Sequence, residues 1–294
     1  MKFVVSTTAL TRALQMTSGA LTAHPVMPVL EDFLFELHGN NLSISTSNLE
    51  VSINVIIEVT GTKDGKIAIP GKILLDSLKM LPEQPVSFNI DTETRGIEIT
   101  ATSGKYKLVG EKAEDFPVIE RPDKEDQLTL QSDQIIKGIE KSSFAVSNDE
   151  MRQNMRGINM NIDFNQLTFA ATDAHKLVRY TFREMESNVA TSIILTKKAM
   201  QILGGILPKN IPVIMHFNKT KAFFSFEKTL LSTRLVEAKF PDYNAVIPVS
   251  NDNILTVTRQ ELVSALRRLS IFASKSTNQI VMSINDGSLT LNAQ

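Results

Sequence analysis

The sequence predicts an α+β fold of repeated domains, each with two helices packed on antiparallel sheets. Strand–helix units recur at nearly constant spacing, beginning at residues 3, 67, 128, 193 and 255. Alternate units match each other more closely still, at offsets of 125 to 127 residues. Between them lie alternating apolar segments with turn signals, as in "HGNNLSISTS", "NIDFNQLTFA" and "INDGSLTLNA", which read as further strands. Self-similarity of this length describes domain-sized repeats, each internally doubled.

The first unit, "KFVVSTTALTRAL" from residue 2, opens with Phe3 and Val5 in period-two alternation and continues with Leu10, Ala13 and Leu14. Alternation marks a strand with one buried face, and i, i+3, i+4 spacing marks a helix stripe. The second unit, "IAIPGKILLDSLKMLP" (67–82), repeats this with Ile67/Ile69 and then Leu74, Ser77 and Leu78. In the third, "QLTLQSDQIIKGI" from 127, the strand pair is Leu128/Leu130 and the stripe Ile135, Gly138, Ile139. The fourth, "IILTKKAMQILGGILP" (193–208), matches the second, down to Leu81/Leu207 and Pro82/Pro208. The fifth, "ILTVTRQELVSAL" from 254, has Leu255/Val257 and then Leu262, Ala265, Leu266. Thr7, Ser132 and Thr258 stand where N-caps belong, and Thr258 with Glu261 forms a capping-box pattern. In the three matching units 1, 3 and 5 the middle stripe residue is Ala or Gly, which lets a helix sit close to the sheet beneath it. The expected domains are 1–120, 127–248 and 253–294, separated by "ERPDKEDQ" (120–127) and "PVSNDN" (248–253). A sixth unit by the same period falls about 62 residues after 255, so the third domain is expected to be about half present.

Composition narrows the function classes. Apolar residues make up 42% and charged residues 21% of 294 residues, an ordinary globular mixture. No apolar run approaches membrane-spanning length, and the run after Lys2 is too short for a secretory signal, so a cytoplasmic protein without membrane contact is expected. With no cysteine, thiolate metal sites and disulfides are excluded. His24, His38, His175 and His216 lie far apart without metal-ligand spacing, and no cofactor is implied.

Net charge is −1, but its distribution is uneven. The five helix windows (7–18, 71–81, 133–144, 196–207, 259–270) carry Arg12, Lys72, Lys79, Lys137, Lys141, Lys197, Lys198, Arg259, Arg267 and Arg268. Against these ten stand only Asp76, Asp133, Glu140 and Glu261, so the windows sum to +6 and the remainder to −7. Equivalent helices of a repeat share a face, and a basic face on an acidic body is a footprint for a phosphate backbone. The exposed positions of these helices are expected to lack aromatics for base stacking, and no helix carries a base-reading cluster, so duplex DNA bound without sequence preference is the expected partner.

Within "TFAATDAHKLVRY" (168–180), Thr172, Asp173 and His175 supply a hydroxyl, a carboxylate and an imidazole. On a predicted strand, Asp173 and His175 share one face and Thr172 takes the other, which does not assemble a nucleophilic site. "GTKDGKI" (61–67) lacks P-loop spacing and reads as a hairpin turn.

Three segments resemble the bacterial sliding clamps, the beta subunits of DNA polymerase III. "ATDAHKL" (171–177) is close to the family's A-T-D-G-H-R-L, "FPDYNAVIP" (240–248) to F-P-D-Y-R-x-V-x-P, and "HPVMPVLEDFLFEL" (24–37) to x-P-x-L-P-I-L-x-x-x-L. The resemblance implies a DNA-clamp fold, ring-forming as a homodimer of six domains, with helices lining the hole and continuous sheet outside. It implies a non-catalytic processivity factor that encircles duplex DNA and docks polymerase subunits, the clamp loader and repair factors through short peptide motifs. The rival from another class is a repeat-built peptide-binding scaffold without DNA binding.

The resemblance also implies roles for residues. Arg152, Met155, Thr172, Ala174, His175, Lys176, Leu177, Pro241 and Val246 match the family's peptide pocket, the rest of which comes from its extreme C-terminus. Ala174 replaces the usual Gly and is expected to narrow the groove or alter its backbone angle. Lys176 replaces Arg and loses a planar donor fork, and Ala245 stands where Arg is frequent. His24 and Gln153 fall at DNA-proximal positions; His24 replaces an Arg, and Gln153 and Asn154 replace aromatics. Tyr106 and Leu108 on an edge strand are expected to meet Ile271 and Phe272 of a second copy, which would protect that edge.

Overall fold

The computed structural model describes residues 1–122, 127–183, 185–285 and 287–293. Its contacts divide the chain into two units, Met1–Pro241 and Asp242–Gln294.

In the first unit, the first repeat contains β1 (Lys2–Ser6), α1 (Thr7–Thr17), β2 (Asp32–His38), β3 (Asn41–Ser47), β4 (Val51–Glu58) and β5 (Thr60–Lys63). It continues with β6 (Gly65–Pro70), α2 (Gly71–Lys79), β7 (Pro85–Ile90), β8 (Gly96–Ala101) and β9 (Gly104–Val109). The second repeat contains β10 (Gln127–Gln131), α3 (Ser132–Ser142), β11 (Gly157–Ile162), β12 (Gln166–Thr172) and β13 (Leu177–Arg183). It ends with β14 (Thr191–Thr196), α4 (Lys197–Ile206), β15 (Pro212–Phe217), β16 (Lys221–Phe226) and β17 (Thr229–Arg234). The expected helix windows are therefore met to within a residue or two.

Three antiparallel sheets carry the unit, in the orders β5-β1-β7-β8-β9, β10-β15-β16-β17-β4-β3-β2-β6 and β13-β12-β11-β14. The eight-stranded sheet crosses from one repeat to the other where β17 pairs with β4, Thr229 opposite Val55 through Thr233 opposite Val51. The first expected domain and residues 127–241 of the second thus lie in one unit, joined by backbone hydrogen bonds, while 242–248 fall in the second unit. Of the expected boundary at 120–127, residues 123–126 lie outside the described residues.

The core follows the apolar pattern. Phe3, Phe35 and Phe88 are fully buried, with Phe3 and Phe88 stacked at 4.8 Å between ring centroids. Within each repeat the two helices touch, α1 on α2 and α3 on α4. The small residue in the stripe has the expected purpose at Gly138, where a Cβ would sit 2.5 Å from the buried Phe169 ring.

Three expectations are corrected. Thr7 and Ser132 are not N-caps; they are the first helical residues and are buried. Ser6 caps α1, and Gln131 with Gln134 forms the capping box of α3. Thr7 and Ser132 instead clasp the segment that leaves the second helix. The Thr7 hydroxyl donates to the Pro82 carbonyl (3.0 Å) and accepts from the Gln84 N–H (3.1 Å). Ser132 Oγ accepts from the Ile211 N–H (3.1 Å). Second, 61–67 is not a hairpin: β5 pairs with β1 while β6 pairs with β2, so the chain changes sheets there.

The second unit contains α5 (Arg259–Leu269), β18 (Ile280–Asn285) and β19 (Ser288–Ala293), the two strands paired as a hairpin. Thr258 is the N-cap residue of α5 but makes no side-chain cap bond, so its capping box with Glu261 is not formed. The third correction is the strand expected around Leu255 and Val257, where residues 251–258 have no regular structure. A strand needs a ladder partner; β1 and β10 have theirs, and the β18–β19 hairpin does not extend to this segment.

Candidate functional site

The segment 172–177 is a tight turn between β12 and β13, not a continuous strand. Thr172 pairs with Leu177, and Asp173–Lys176 connect them. Local hydrogen bonding overrides alternation here, because an Asp and a Thr side chain both offer the backbone an alternative to the ladder. Asp173 Oδ1 accepts from the N–H groups of His175 (3.0 Å) and Lys176 (2.9 Å). Thr172 Oγ1 donates to the Lys176 carbonyl (2.8 Å) and accepts from the Ala174 N–H (3.1 Å). Lys176 Nζ reaches back to Asp173 Oδ2.

These bonds decide the chemistry. The hydrogen bond from Lys176, reinforced by the two backbone donors, holds the Asp173 carboxyl well below its usual range. It is an anion spent on its own turn, and the Thr172 hydroxyl is similarly engaged. Neither is free to act as base or nucleophile. What the turn offers outward is exposed Ala174, His175 and Lys176 and half-buried Leu177, beside buried Thr172. Ala174 adopts φ +74°, so its methyl has not driven the backbone out of the left-handed region that glycine favours.

The other expected pocket residues are placed as follows. Met155 ends a short 3₁₀ turn, Gln153–Met155, is half-buried, and its carbonyl accepts from the Ser147 N–H (3.0 Å). Arg152 is exposed and pairs with Asp149 at 3.2 Å. Pro241 is half-buried and closes the first unit. Val246 belongs to the second unit, at the end of a 3₁₀ turn, Tyr243–Val246, and is 69% exposed.

Among the helix cations, Lys197 is half-buried and the other nine are exposed. Among the described residues none of the ten takes part in a salt bridge. Lys137 Nζ lies 5.8 Å from the centre of the Tyr180 ring. His24 is exposed in a left-handed conformation, φ 55°, and its backbone N–H donates to Glu31 Oε1 at 2.9 Å. Gln153, Lys197 and Lys198 meet around one cleft of about 600 Å³ that also takes in Glu50, Arg156 and Gln201. Sequence reasoning passed over these last three. The signal that would have found Glu50 is the 125-residue repeat applied to the turn itself.

Tyr106 and Leu108 lie on β9, the edge strand of the five-stranded sheet, with Tyr106 exposed and Leu108 partly packed on the core. In the second unit Ile271 and Phe272 follow α5 and are each 78% exposed. Three of the four therefore do not fill a core.

Comparison with known proteins gives concordant matches. The family model "DNA polymerase III beta subunit, N-terminal domain" matches residues 1–120, and "DNA polymerase III beta subunit, central domain" matches 129–242. The beta sliding clamp of Chlamydia muridarum is 27% identical over 299 residues, covering 100% of this chain and 80% of the relative. That of Pseudomonas aeruginosa is 26% identical over 302 residues, covering 100% and 80%. Among solved structures, the Pseudomonas aeruginosa DNA polymerase III subunit beta superposes with TM-score 0.95 at 24% identity, covering 100% of this chain and 80% of that one. The Bacillus subtilis sliding clamp superposes with TM-score 0.94 at 21% identity, covering 99% and 80%. At these identities the superpositions speak to the fold alone.

Proposed function

The chain belongs to the DNA polymerase III beta subunit family, and from that premise we propose that it works as a sliding clamp. It is a non-catalytic processivity factor of DNA replication that encircles duplex DNA as a homodimer and tethers polymerase subunits, the clamp loader and repair factors. Family membership sets aside the rival of a scaffold without DNA binding. The observation that carries the DNA role at residue level is the set of ten helix cations that, among the described residues, form no salt bridge, on a chain of net charge −1.

Mobile Lys and Arg side chains contact phosphates without reading sequence, so the protein is held near DNA while free to translate. A near-neutral total keeps it from adhering to DNA from outside. On this reading Arg12, Lys72, Lys79, Lys137, Lys141, Lys197, Lys198, Arg259, Arg267 and Arg268, with His24 and Gln153, lie along the DNA path. Partner motifs dock at the turn Thr172, Ala174, His175, Lys176, Leu177 with Arg152, Met155 and Pro241; Val246 is assigned to motif binding by its match to the family segment alone. Leu177, Met155 and Pro241 supply apolar contact, and Thr172 and His175 polar edges for an extended peptide. Tyr106 and Leu108 of one copy face Ile271 and Phe272 of the other. We assign domains to 1–120, 127–248 and 253–294 and the protein to the cytoplasm. Among the described residues no helix is long and apolar enough to cross a membrane.

The test is the salt dependence of DNA binding and of polymerase processivity on primed DNA. Neutralising Lys72, Lys198 and Arg268 to Gln should flatten the log–log salt slope by about 0.9 for each phosphate no longer neutralised. An unchanged slope with unchanged processivity refutes the basic-face assignment. His175→Ala and Leu177→Ala should weaken motif-peptide binding and leave DNA affinity intact.

A further inference from the structure

The turn that carries His175 is built twice. One repeat earlier, at an offset of 125 residues, β3 and β4 are joined with Ser47 opposite Ser52, as Thr172 stands opposite Leu177. The Leu49 N–H donates to Ser47 Oγ at 3.1 Å, as Ala174 does to Thr172. Asn48 Oδ1 accepts from Glu50 (3.0 Å) and Val51 (2.7 Å), as Asp173 does from His175 and Lys176. Leu49 has φ 71° and Ala174 φ 74°. Glu50 is therefore the counterpart of His175.

This first copy also borders a cleft. Glu50 lines the opening of about 600 Å³ together with Arg156, Lys197, Lys198, Leu235 and Val236. Backbone bonds hold its parts in place: Arg234 N–H to the Glu50 carbonyl at 3.0 Å, and Val236 N–H to the Ile194 carbonyl at 2.9 Å. Leu235 and Val236 are half-buried, while Arg156 and Lys198 are exposed. Three cations face two carboxylates, Glu50 and Glu237, and among the described residues none of the five is in a salt bridge. A mostly polar opening with Leu235 and Val236 as its apolar part and with unneutralised cations is complementary to an extended segment that carries acidic side chains beside an apolar one.

We propose that this cleft is a second docking site, for a short acidic peptide of a partner protein, related by the internal repeat to the pocket around His175 and Leu177. The inference rests on the reading of that pocket. Glu50 in place of His175 repels a carboxylate at the turn, so the acidic residues of the peptide are drawn to Arg156 and Lys198.

The probe is a fluorescein-labelled peptide, Glu-Asp-Leu-Glu-Leu-Phe, titrated by anisotropy against the full chain and its Leu177→Ala, Arg156→Glu and double variants. Two sites are expected in the parent, one in each single variant and none in the double. In the Leu177→Ala background, Arg156→Glu should weaken binding by at least roughly tenfold, because it removes a charge-assisted hydrogen bond and sets a like charge beside the acidic peptide, and Arg156→Lys should bind nearly as well as the Leu177→Ala parent. Because Arg156 is exposed, unchanged unfolding midpoints are expected to accompany these effects. If Leu177→Ala alone removes all binding, or Arg156→Glu has no effect in that background, the second site does not exist. Gln153, Lys197 and Lys198 are shared with the DNA path proposed above, so duplex DNA is expected to compete with the peptide; if Lys198→Gln removes peptide binding in the Leu177→Ala background while Arg156→Glu leaves it intact, the cleft belongs to the DNA path alone and the proposal falls. If Leu177→Ala leaves the stoichiometry unchanged while Arg156→Glu lowers it, the cleft stands and the pocket reading fails.

Discussion

Ala174→Gly should stabilise this protein, contrary to the usual penalty for adding a glycine. Ala174 holds φ +74°, where the methyl group crowds the backbone. A non-glycine residue in the left-handed region costs about 1–2 kcal/mol. Glycine removes that strain but loses more conformational entropy on folding, about 0.4–1 kcal/mol. The turn itself should not change, because its bonds from Asp173 and Thr172 already require this angle. The net expectation is a gain of about 0.5–1 kcal/mol, which for a unit of this size raises the midpoint by about 1–3 °C. Urea and thermal unfolding followed by circular dichroism, with the same protein concentration throughout, read this directly. Leu49→Gly is the matched control, since φ 71° places it under the same strain. If Ala174→Gly lowers the midpoint, the strain is not stored there and the left-handed assignment of the turn is wrong.

Other perturbations follow from individual side chains. Asp32 is 6% exposed, its Oδ2 has no hydrogen-bond partner among the described residues, and burial, with Glu111 and Glu31 nearby, raises its pKa to about 7. A raised folded pKa means that stability is fully present below the unfolded value and is lost as pH rises through about 7. Asp32→Asn should therefore be nearly neutral at pH 4 and stabilising at pH 8, by up to about 4 kcal/mol at roughly 1.4 kcal/mol per unit; an equal effect at both pH values contradicts this. Thr7→Ala removes a hydroxyl that both donates and accepts, whereas Ser132→Ala removes one acceptor. Losses of about 2 and 1 kcal/mol are expected in urea titrations, in that order. Gly138→Ala forces a methyl into the Phe169 ring and should destabilise by about 1–3 kcal/mol despite the better helix propensity; Phe169→Leu should recover part of the loss in a double-variant cycle.

The period of the apolar residues determined a great deal by itself. Leu10/Ala13/Leu14 and Ile135/Gly138/Ile139 located α1 and α3, and the 125-residue offset declared that the two repeats share a design. The excess of cations on the helices was equally visible, since it needs only the windows and a count. Periodicity, however, reports which face of an element is buried and not which partner buries it. The pairing of β17 with β4 joins residues 174 to 182 positions apart, and no local pattern in "STRLV" or "VSINV" names the other. For the same reason Thr7 looked like a cap until Gln84 was found against it, and Leu255 looked like a strand although it has no ladder to join. At the turn of His175, four residues of alternation were outweighed by two side chains that bond their own backbone. Local sequence fixes element type because the relevant energies are local; partner, register and the clefts between elements are decided by contacts that exist only once the chain has closed on itself.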